Sequence, residues 1–451
     1  MGAQTKKIVI ALLLASVAYA LMIFTFSPEQ SSMVALVVLM VALWTNEGLP
    51  LAVVSLLPIL LFPAFGIIEL GKVTLNYANP IIYLFFGGFL LAIAVEKTAL
   101  HHVMAHKILS IFPKNARGIL FALIFASALL SSILSNTTTT LLLLPIALFL
   151  SDNPKLKLRF ALAIAYGASV GGILTPIGTP PNLILLGFLS DHGIAPIPFM
   201  QWMAVVSPLV LIMLVTVGVL LGVGIGGIKL EPMLEIPPIS REQKKVLGVL
   251  LGVMVLLFAN APIGPYYAGL GLSETGILLG AGLLLFAPPF GVLDWMEDKG
   301  KIPFRIMMLF GAGFAIAQGF GVTGLAQVVA DGLTSLSTLP LILFILVIAT
   351  VVTFSTEITS NTALISIMLP VLLLISQQTQ MDSRLIMMVA TVCSSYAFML
   401  PIATPPNAIV MSSGTVTIKA MALYGLVLNI VGIILTVLIS TFFWSKILLN
   451  H

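Results

Sequence analysis

Charge is what this chain of 451 residues has least of, since Asp, Glu, Lys and Arg make up only 8% of it. An ordinary soluble domain carries about 25%. With 59% of its residues from the hydrophobic set, a soluble form would lack the polar surface that keeps a protein dispersed. The net charge of +4 is mild and sits mostly in short segments between apolar runs. No basic face can be assembled from it, which excludes nucleic acid as a partner. There is one cysteine, Cys393, so no intramolecular disulfide is available. Cys393 lies in an apolar run and reads as a small buried hydrophobe. Clusters of Asp, Glu and His in or near the apolar runs are also missing, which argues against a membrane enzyme. For the same reason a proton-coupled carrier is disfavoured, since Glu357 alone offers a plausible proton site.

What remains is hydrophobic length. Apolar runs recur from residue 8 to residue 449, and mean hydropathy is +1.17. A membrane crossing needs about 20 apolar residues. Lys6, Lys7 and Ala18-Tyr19-Ala20 resemble a signal peptide with its cleavage site. The run continues through Leu21 to Phe24, so a retained first helix is expected. Two pairs of runs are too short to cross, 118–134 with 137–150 and about 341–356 with 362–376. Each pair flanks a Ser-Asn-Thr tripeptide. Re-entrant hairpins are the expectation; one long helix with a polar patch is the alternative. Pro145 and the tract Ser135–Thr140 disfavour continuous helix there.

Basic residues in 97–117, 151–158, 228–245 and 291–305 place those loops in the cytoplasm. The N-terminus is then cytoplasmic and the C-terminus extracytoplasmic. The expected fold is an all-α polytopic membrane protein with about eleven transmembrane helices plus two re-entrant hairpins. An extra helix occupies 1–30. A first repeat occupies 31–227, with scaffold helices 31–96, hairpin 118–150, broken helix 159–189 and long helix 199–227. A cytoplasmic linker, 228–245, leads to a second repeat, 246–451. That repeat has scaffold helices 246–322, hairpin 341–376, broken helix 384–412 and C-terminal helix 420–447.

The repeat is visible without any hydropathy scale. Ser135-Asn136-Thr137 recurs as Ser360-Asn361-Thr362, and Thr179-Pro180-Pro181-Asn182 recurs as Thr404-Pro405-Pro406-Asn407, both 225 positions later. Pro176 matches Pro401, and Ile177 matches Ile402. An odd number of crossings separates the two units, so the second is inverted relative to the first. Inverted repeats with broken helices are a secondary-transporter plan with the binding site near the midplane. A channel would instead need a continuous pore.

The prolines around 176–181 and 401–406 cannot continue an α-helix. The backbone groups they free must line a cavity or coordinate something. Freed carbonyls suit a small cation, and freed amides at a helix start suit an anion. Ser, Asn and Thr at the hairpin tips are favoured N-caps, and their side chains can also contact a carboxylate or a hard cation. The hydroxyls of Thr179 and Thr404 can contribute to the site or simply satisfy their own breaks. No Arg or Lys lies near these motifs in sequence. An anion bound there needs neutral donors, helix termini and a co-bound cation. Glu357 stands where the first half has Ser132, as a functional acid at membrane depth or a hydrogen-bonded structural one. Glu47 and Glu274 read as caps or anchors. His101, His102 and His106, and separately Asp298, read as solvated loop residues.

These motifs carry a resemblance. Both Ser-Asn-Thr tips, Gly178-Thr179-Pro180, Ala403-Thr404-Pro405 and Trp44-Thr45-Asn46-Glu47-Gly48-Leu49-Pro50 resemble the divalent anion:sodium symporter family. The similarity is to its bacterial INDY-like sodium–dicarboxylate members and covers nearly the whole chain. Asn46 departs from the Thr that many relatives have there. The resemblance implies a homodimer in the bacterial inner membrane, working as an elevator with scaffold and transport domains. It implies sodium-coupled symport of C4 dicarboxylates, with sodium as coupling ion and no other cofactor. A sodium-independent dicarboxylate, tricarboxylate or sulfate exchanger is the alternative. Substrate contacts carry over to Ser135, Asn136, Thr137, Ser360, Asn361, Thr362, Thr404 and Pro405, and less directly to Thr179 and Pro180. One sodium site falls on Ser131, Ser135, Asn136 and Gly178. The other falls on Thr356, Thr359, Asn361 and Ala403.

Overall fold

A computed structural model describes residues 2–46, 48–195, 197–226, 238–261, 267, 269–332, 339–379 and 381–448. Glu47 and most of the 228–245 linker lie outside the described residues. The first half runs α1 (Ala3–Met22), α2 (Pro28–Asn46), α3 (Leu51–Ala64), α4 (Leu70–Asn76), α5 (Pro80–Lys97), α6 (Leu100–Ile111), α7 (Ala116–Ser131), α8 (Asn136–Phe149), α9 (Pro154–Gly171), α10 (Pro180–Asp191) and α11 (Phe199–Gly222). The second runs α12 (Arg241–Asn260), α13 (Glu274–Leu284), α14 (Trp295–Asp298), α15 (Phe304–Val322), α16 (Leu325–Gly332), α17 (Leu341–Thr356), α18 (Asn361–Thr379), α19 (Ser383–Cys393), α20 (Pro405–Ser412), α21 (Ile418–Ile439) and α22 (Ser445–Leu448).

Local chemistry sets many of these starts. Asn79 and Asn153 cap α5 and α9, each followed by proline at the first helical position, where the missing N–H costs nothing. Ser240 and Gln243 form a reciprocal capping box at α12. Glu274, at the start of α13, accepts from the Phe199 amide at 2.7 Å and so ties α13 to the start of α11. The chain turns at 132–135 between α7 and α8. Pro145 does not interrupt anything and lies inside α8. A transmembrane helix tolerates an internal proline when neighbouring groups satisfy the freed carbonyl.

Packing pairs the two halves element by element. Helix α7 packs on α8, α9 and α11, just as α17 packs on α18, α19 and α21. The smaller arms change sides: α10 lies on α18 and α19, while α20 lies on α8 and α9. In the outer layer α5 packs on α13 and α15 on α3, again across the halves. Glycine allows the closest approach. A Cβ on Gly171 of α9 would sit 2.3 Å from the Cα of Ala128 on α7, and one on Gly167 would sit 2.8 Å from the Ile124 carbonyl oxygen. Small residues four apart bring membrane helices into backbone contact in this way.

Among the described residues, seven helical stretches are long and apolar enough to cross a membrane, not the eleven expected from sequence. Five expected crossings are not among the seven: helices α3 and α13 are shorter than 18 residues, the runs 159–189 and 384–412 are each split by a break, and α12 begins with Arg241, Glu242, Lys244 and Lys245. Conversely, α18, expected from sequence as an arm of the second hairpin, has 19 residues and is among the seven.

Two loop assignments need correction. Residues 100–111 form α6, and His101 is buried there with its Nδ1 3.2 Å from the Val95 carbonyl oxygen. Among the described residues no group of His, Cys, Asp and Glu is arranged to hold a metal ion. Asp298 is not solvated: it is 2% exposed, with Lys97 at 2.7 Å and Lys301 at 2.9 Å. Burial works against its charge, but Lys97, the Asp294 amide and Lys301 together hold its pKa at about 2. Cys393 is free and buried, as its apolar surroundings suggested.

At the other end of α11, three cations converge on its last carbonyls. Arg159 reaches Leu220 O at 3.3 Å, Arg117 reaches Gly222 O at 3.3 Å, and Lys155 reaches Gly224 O at 2.6 Å. Cations at a helix C-terminus complement its dipole. Arg159 also stacks over the Tyr424 ring at 4.4 Å, so the base of α9 is pinned to both α11 and α21.

Candidate functional site

The two hairpin tips are built alike. In the first, the Ser135 hydroxyl caps α8 by accepting from the Thr138 amide at 3.0 Å. In the second, Ser360 accepts from the Ala363 amide at 3.5 Å. The asparagine that follows each serine points back across the tip. Ser131 Oγ donates to Asn136 Oδ1 at 2.5 Å, and Thr356 Oγ1 donates to Asn361 Oδ1 at 2.5 Å. These pairs occupy equivalent positions in the two halves, so the sequence repeat is also a repeat of side-chain geometry.

Each tip faces a break. Between α9 and α10 the chain makes a turn in which Gly178 N donates to Thr175 O at 3.2 Å. Between α19 and α20, Ala403 N donates to Leu400 O at the same 3.2 Å. Thr179 and Thr404 stand at the N-caps of α10 and α20, followed by their proline pairs. The Thr404 hydroxyl accepts from Asn407 N at 3.4 Å, whereas Thr179 makes no side-chain cap bond.

The first break has no room for side chains at its two glycines. A Cβ on Gly172 would lie 2.7 Å from Asn136 Oδ1 and 3.2 Å from the Gly178 carbonyl oxygen. A Cβ on Gly178 would lie 2.4 Å from the Gly172 carbonyl oxygen. Asn136, Gly172 and Gly178 therefore meet, and Ser131 joins them through Asn136. The second half has Ala397 and Ala403 at the equivalent positions.

The structure thus groups Ser131, Asn136 and Gly178 in the first half, and Thr356 with Asn361 in the second. Ser135 spends its hydroxyl on Thr138, donating to Oγ1 at 2.9 Å. Thr359 turns its hydroxyl back onto Ser355 O at 2.7 Å, and no hydrogen bond links it to Asn361. Ser135, Asn136, Thr137, Ser360 and Asn361 are half-buried, while Thr179, Thr362 and Thr404 are buried. Pro180 is half-buried and Pro405 exposed. Grouped oxygens from hydroxyl, carboxamide and main chain are the donor set that a hard cation takes, so the residues present fit sodium.

Glu357 is held by its own half. Its carboxylate accepts from the Met399 amide at 2.9 Å, the Leu400 amide at 3.0 Å and Asn429 Nδ2 at 2.7 Å. The first half makes the same connection with its roles reversed: Thr175 Oγ1 donates to Ser132 O at 2.5 Å. Positions 132 and 357, and 175 and 400, are repeat equivalents. Each hairpin is therefore fastened to its break at the same place by different chemistry.

Asn182 and Asn407, the last residues of the repeated Thr-Pro-Pro-Asn motif, have a role that only the fold reveals. Asn182 Nδ2 donates to Gly172 O at 3.2 Å and Thr175 O at 2.9 Å. Asn407 Nδ2 donates to Ala397 O at 2.9 Å and Leu400 O at 3.0 Å. Their appearance at matched positions in both TPPN motifs was the signal that could have singled them out.

Comparison with known proteins adds to this geometry. Residues 39–382 match a protein family described as Citrate transporter. The chain is 31% identical over 477 residues to the sodium-dependent dicarboxylate transporter SdcS of Staphylococcus saprophyticus, covering 97% of this chain and 92% of that protein. It is 32% identical over 468 residues to SdcS of Staphylococcus aureus, covering 95% and 90%. The crystal structure of the YdaH transporter of Alcanivorax borkumensis has a similar fold. The TM-score is 0.61 at 16% identity, covering 83% of this chain and 88% of that one.

Proposed function

This chain belongs to the divalent anion:sodium symporter family, and from that premise we propose that it carries C4 dicarboxylates such as succinate, fumarate and malate into the cell together with sodium. It is a transport protein and not an enzyme. The observation that carries the reading is the matched pair of hydroxyl–carboxamide contacts, Ser131–Asn136 and Thr356–Asn361, each beside a helix break. One sodium ion belongs with Ser131, Ser135, Asn136 and Gly178, and another with Thr356, Thr359, Asn361 and Ala403. The dicarboxylate lies between the two tips, on Ser135, Asn136, Thr137, Ser360, Asn361, Thr362, Thr404 and Pro405, with Thr179 and Pro180 behind. These motifs contain no Arg or Lys, so sodium supplies the positive charge that a dianion requires.

In this reading eleven helices cross the membrane and the two hairpins enter and return. Within the two repeats, 31–227 and 246–451, the hairpins and broken helices form the transport domain, and the helices of 31–96 and 246–322 form the scaffold. The protein is a homodimer in the inner membrane with a cytoplasmic N-terminus and an extracytoplasmic C-terminus. The transport domain moves against the scaffold as an elevator. Purified protein in liposomes with an inward sodium gradient should accumulate labelled succinate, and potassium in place of sodium should abolish accumulation. A panel with citrate and sulfate fixes the anion. Uptake that needs an internal counter-anion and ignores sodium would replace symport with exchange.

A further inference from the structure

We propose that Asn182 and Asn407 are positioning residues of the two cation sites, each clamping the turn whose last residue offers the site its main-chain oxygen. The inference rests on the sodium-coupled reading above and deepens it.

The geometry of the breaks carries the argument. Each turn spans four residues, Thr175 to Gly178 and Leu400 to Ala403, closed by one main-chain bond of 3.2 Å. A single bond of that length is a weak closure for a proline-rich loop inside a membrane protein. The asparagine amide reinforces it by donating a second bond to the same first carbonyl, at 2.9 Å in one half and 3.0 Å in the other. Its other amide hydrogen goes to the carbonyl three residues earlier, Gly172 O or Ala397 O. The segment just past the end of α9 or α19 is thereby tied to the first turn of α10 or α20.

This clamp has a directional consequence in the first half. The carbonyls of Gly172 and Thr175 each have one acceptor position taken by Asn182. Trp202 Nε1 occupies the Ile173 carbonyl in the same way, at 3.0 Å. The Gly178 carbonyl lies instead beside Gly172 and Asn136 Oδ1. Asn182 thus engages oxygens of the break other than the one beside the tip.

A second observation points to a ligand. Asn182 and Asn407 are both 0% exposed, and among the described residues the Oδ1 of each has no hydrogen-bond donor. A buried carboxamide oxygen left unpaired is costly. Two such oxygens at repeat-equivalent positions are expected where a cation or its water completes the surroundings. Proline at the first two helical positions serves the same end, because it fixes the start of α10 and α20 and so the place of the asparagine one residue on.

The test uses purified full-length protein in detergent and in liposomes. Sodium chloride is titrated against choline chloride at constant ionic strength, without dicarboxylate. The readout is the sodium-dependent rise of the thermal unfolding midpoint. Asn182→Ala and Asn407→Ala should each raise the sodium concentration for half-maximal protection at least tenfold. In liposomes, succinate KM at saturating sodium should move less than threefold. A merely structural role would lower the midpoint equally with and without sodium, and an unchanged sodium titration in both variants would overturn the proposal. If an alanine variant does not fold, Asn182→Leu or Asn407→Leu keeps the branched shape, removes both donors without adding charge and carries the same comparison. Wild-type protein that gains no protection from sodium would instead overturn the sodium-coupled reading itself.

Discussion

Glu357 shows how one residue can read two ways in sequence and one way in structure. It stands at hairpin depth, where an ionisable group invites a transport role. Its oxygens are taken by Met399 N, Leu400 N and Asn429 Nδ2, residues 42, 43 and 72 positions away. The acid fastens the second hairpin to its break, a task the first half gives to Thr175. Glu357→Ala leaves three donors buried without an acceptor. One such group costs ~1–3 kcal/mol, and neighbouring groups do not add fully. The variant should lose at least about 2 kcal/mol in reversible unfolding in mixed micelles, and Glu357→Gln should lose less because one oxygen remains. A change below about 0.5 kcal/mol in the alanine variant would contradict this role. Asn182 and Asn407 illustrate the same limit on sequence reading. Their motif was plain, but their acceptors lie 10 and 7 residues back across a bend that only the fold creates.

Elements were legible where a periodic or punctuated pattern is local, and illegible where partners are distant. The prolines after Thr179 and Thr404 marked both breaks, and the short runs around Ser-Asn-Thr marked α7, α8, α17 and α18. The 97–117 segment looked like a loop because it mixes basic residues and histidines, yet α6 buries one face of them. Asp298 looked solvated among charged neighbours, but Lys97, 201 positions earlier at the end of α5, covers it. That contact joins α5 to α14 and supports the outer layer. Because the pKa of Asp298 is about 2, below its ordinary 3.8, its contribution to stability is complete above about pH 4 and is lost as pH falls through about 2. The half-exposed Lys301 screens part of the interaction, so the contribution is on the order of 1–2 kcal/mol. Unfolding followed from pH 6 down to pH 2.5 should show this loss in the wild type. Asp298→Asn should be less stable at pH 6 and should show a shallower acid decline. Parallel declines would contradict the assignment.

At the scale of the whole molecule, the two halves share one plan but do not sit alike. Ile177, in the first break, packs against α5 beside Gly88. Ile402, its repeat equivalent, is 76% exposed. The two breaks are therefore covered by the rest of the chain to different extents. The exchange of α10 and α20 between the halves packs each short arm against the opposite hairpin, while each break stays fastened to its own. The 225-residue repeat announced two related halves; that their short arms cross over is a property of packing, which no single stretch of sequence encodes.

The central claim is that the two tips act as one sodium-dependent site, and the direct measurement is sodium-gradient-driven succinate uptake by Asn136→Ala and Asn361→Ala in liposomes. Loss of a buried polar partner costs ~1–3 kcal/mol, or roughly 5–150-fold in affinity. Each variant should reach the membrane folded and lose uptake by that order, with the sodium requirement shifted upward. Wild-type uptake in both folded variants would contradict the account.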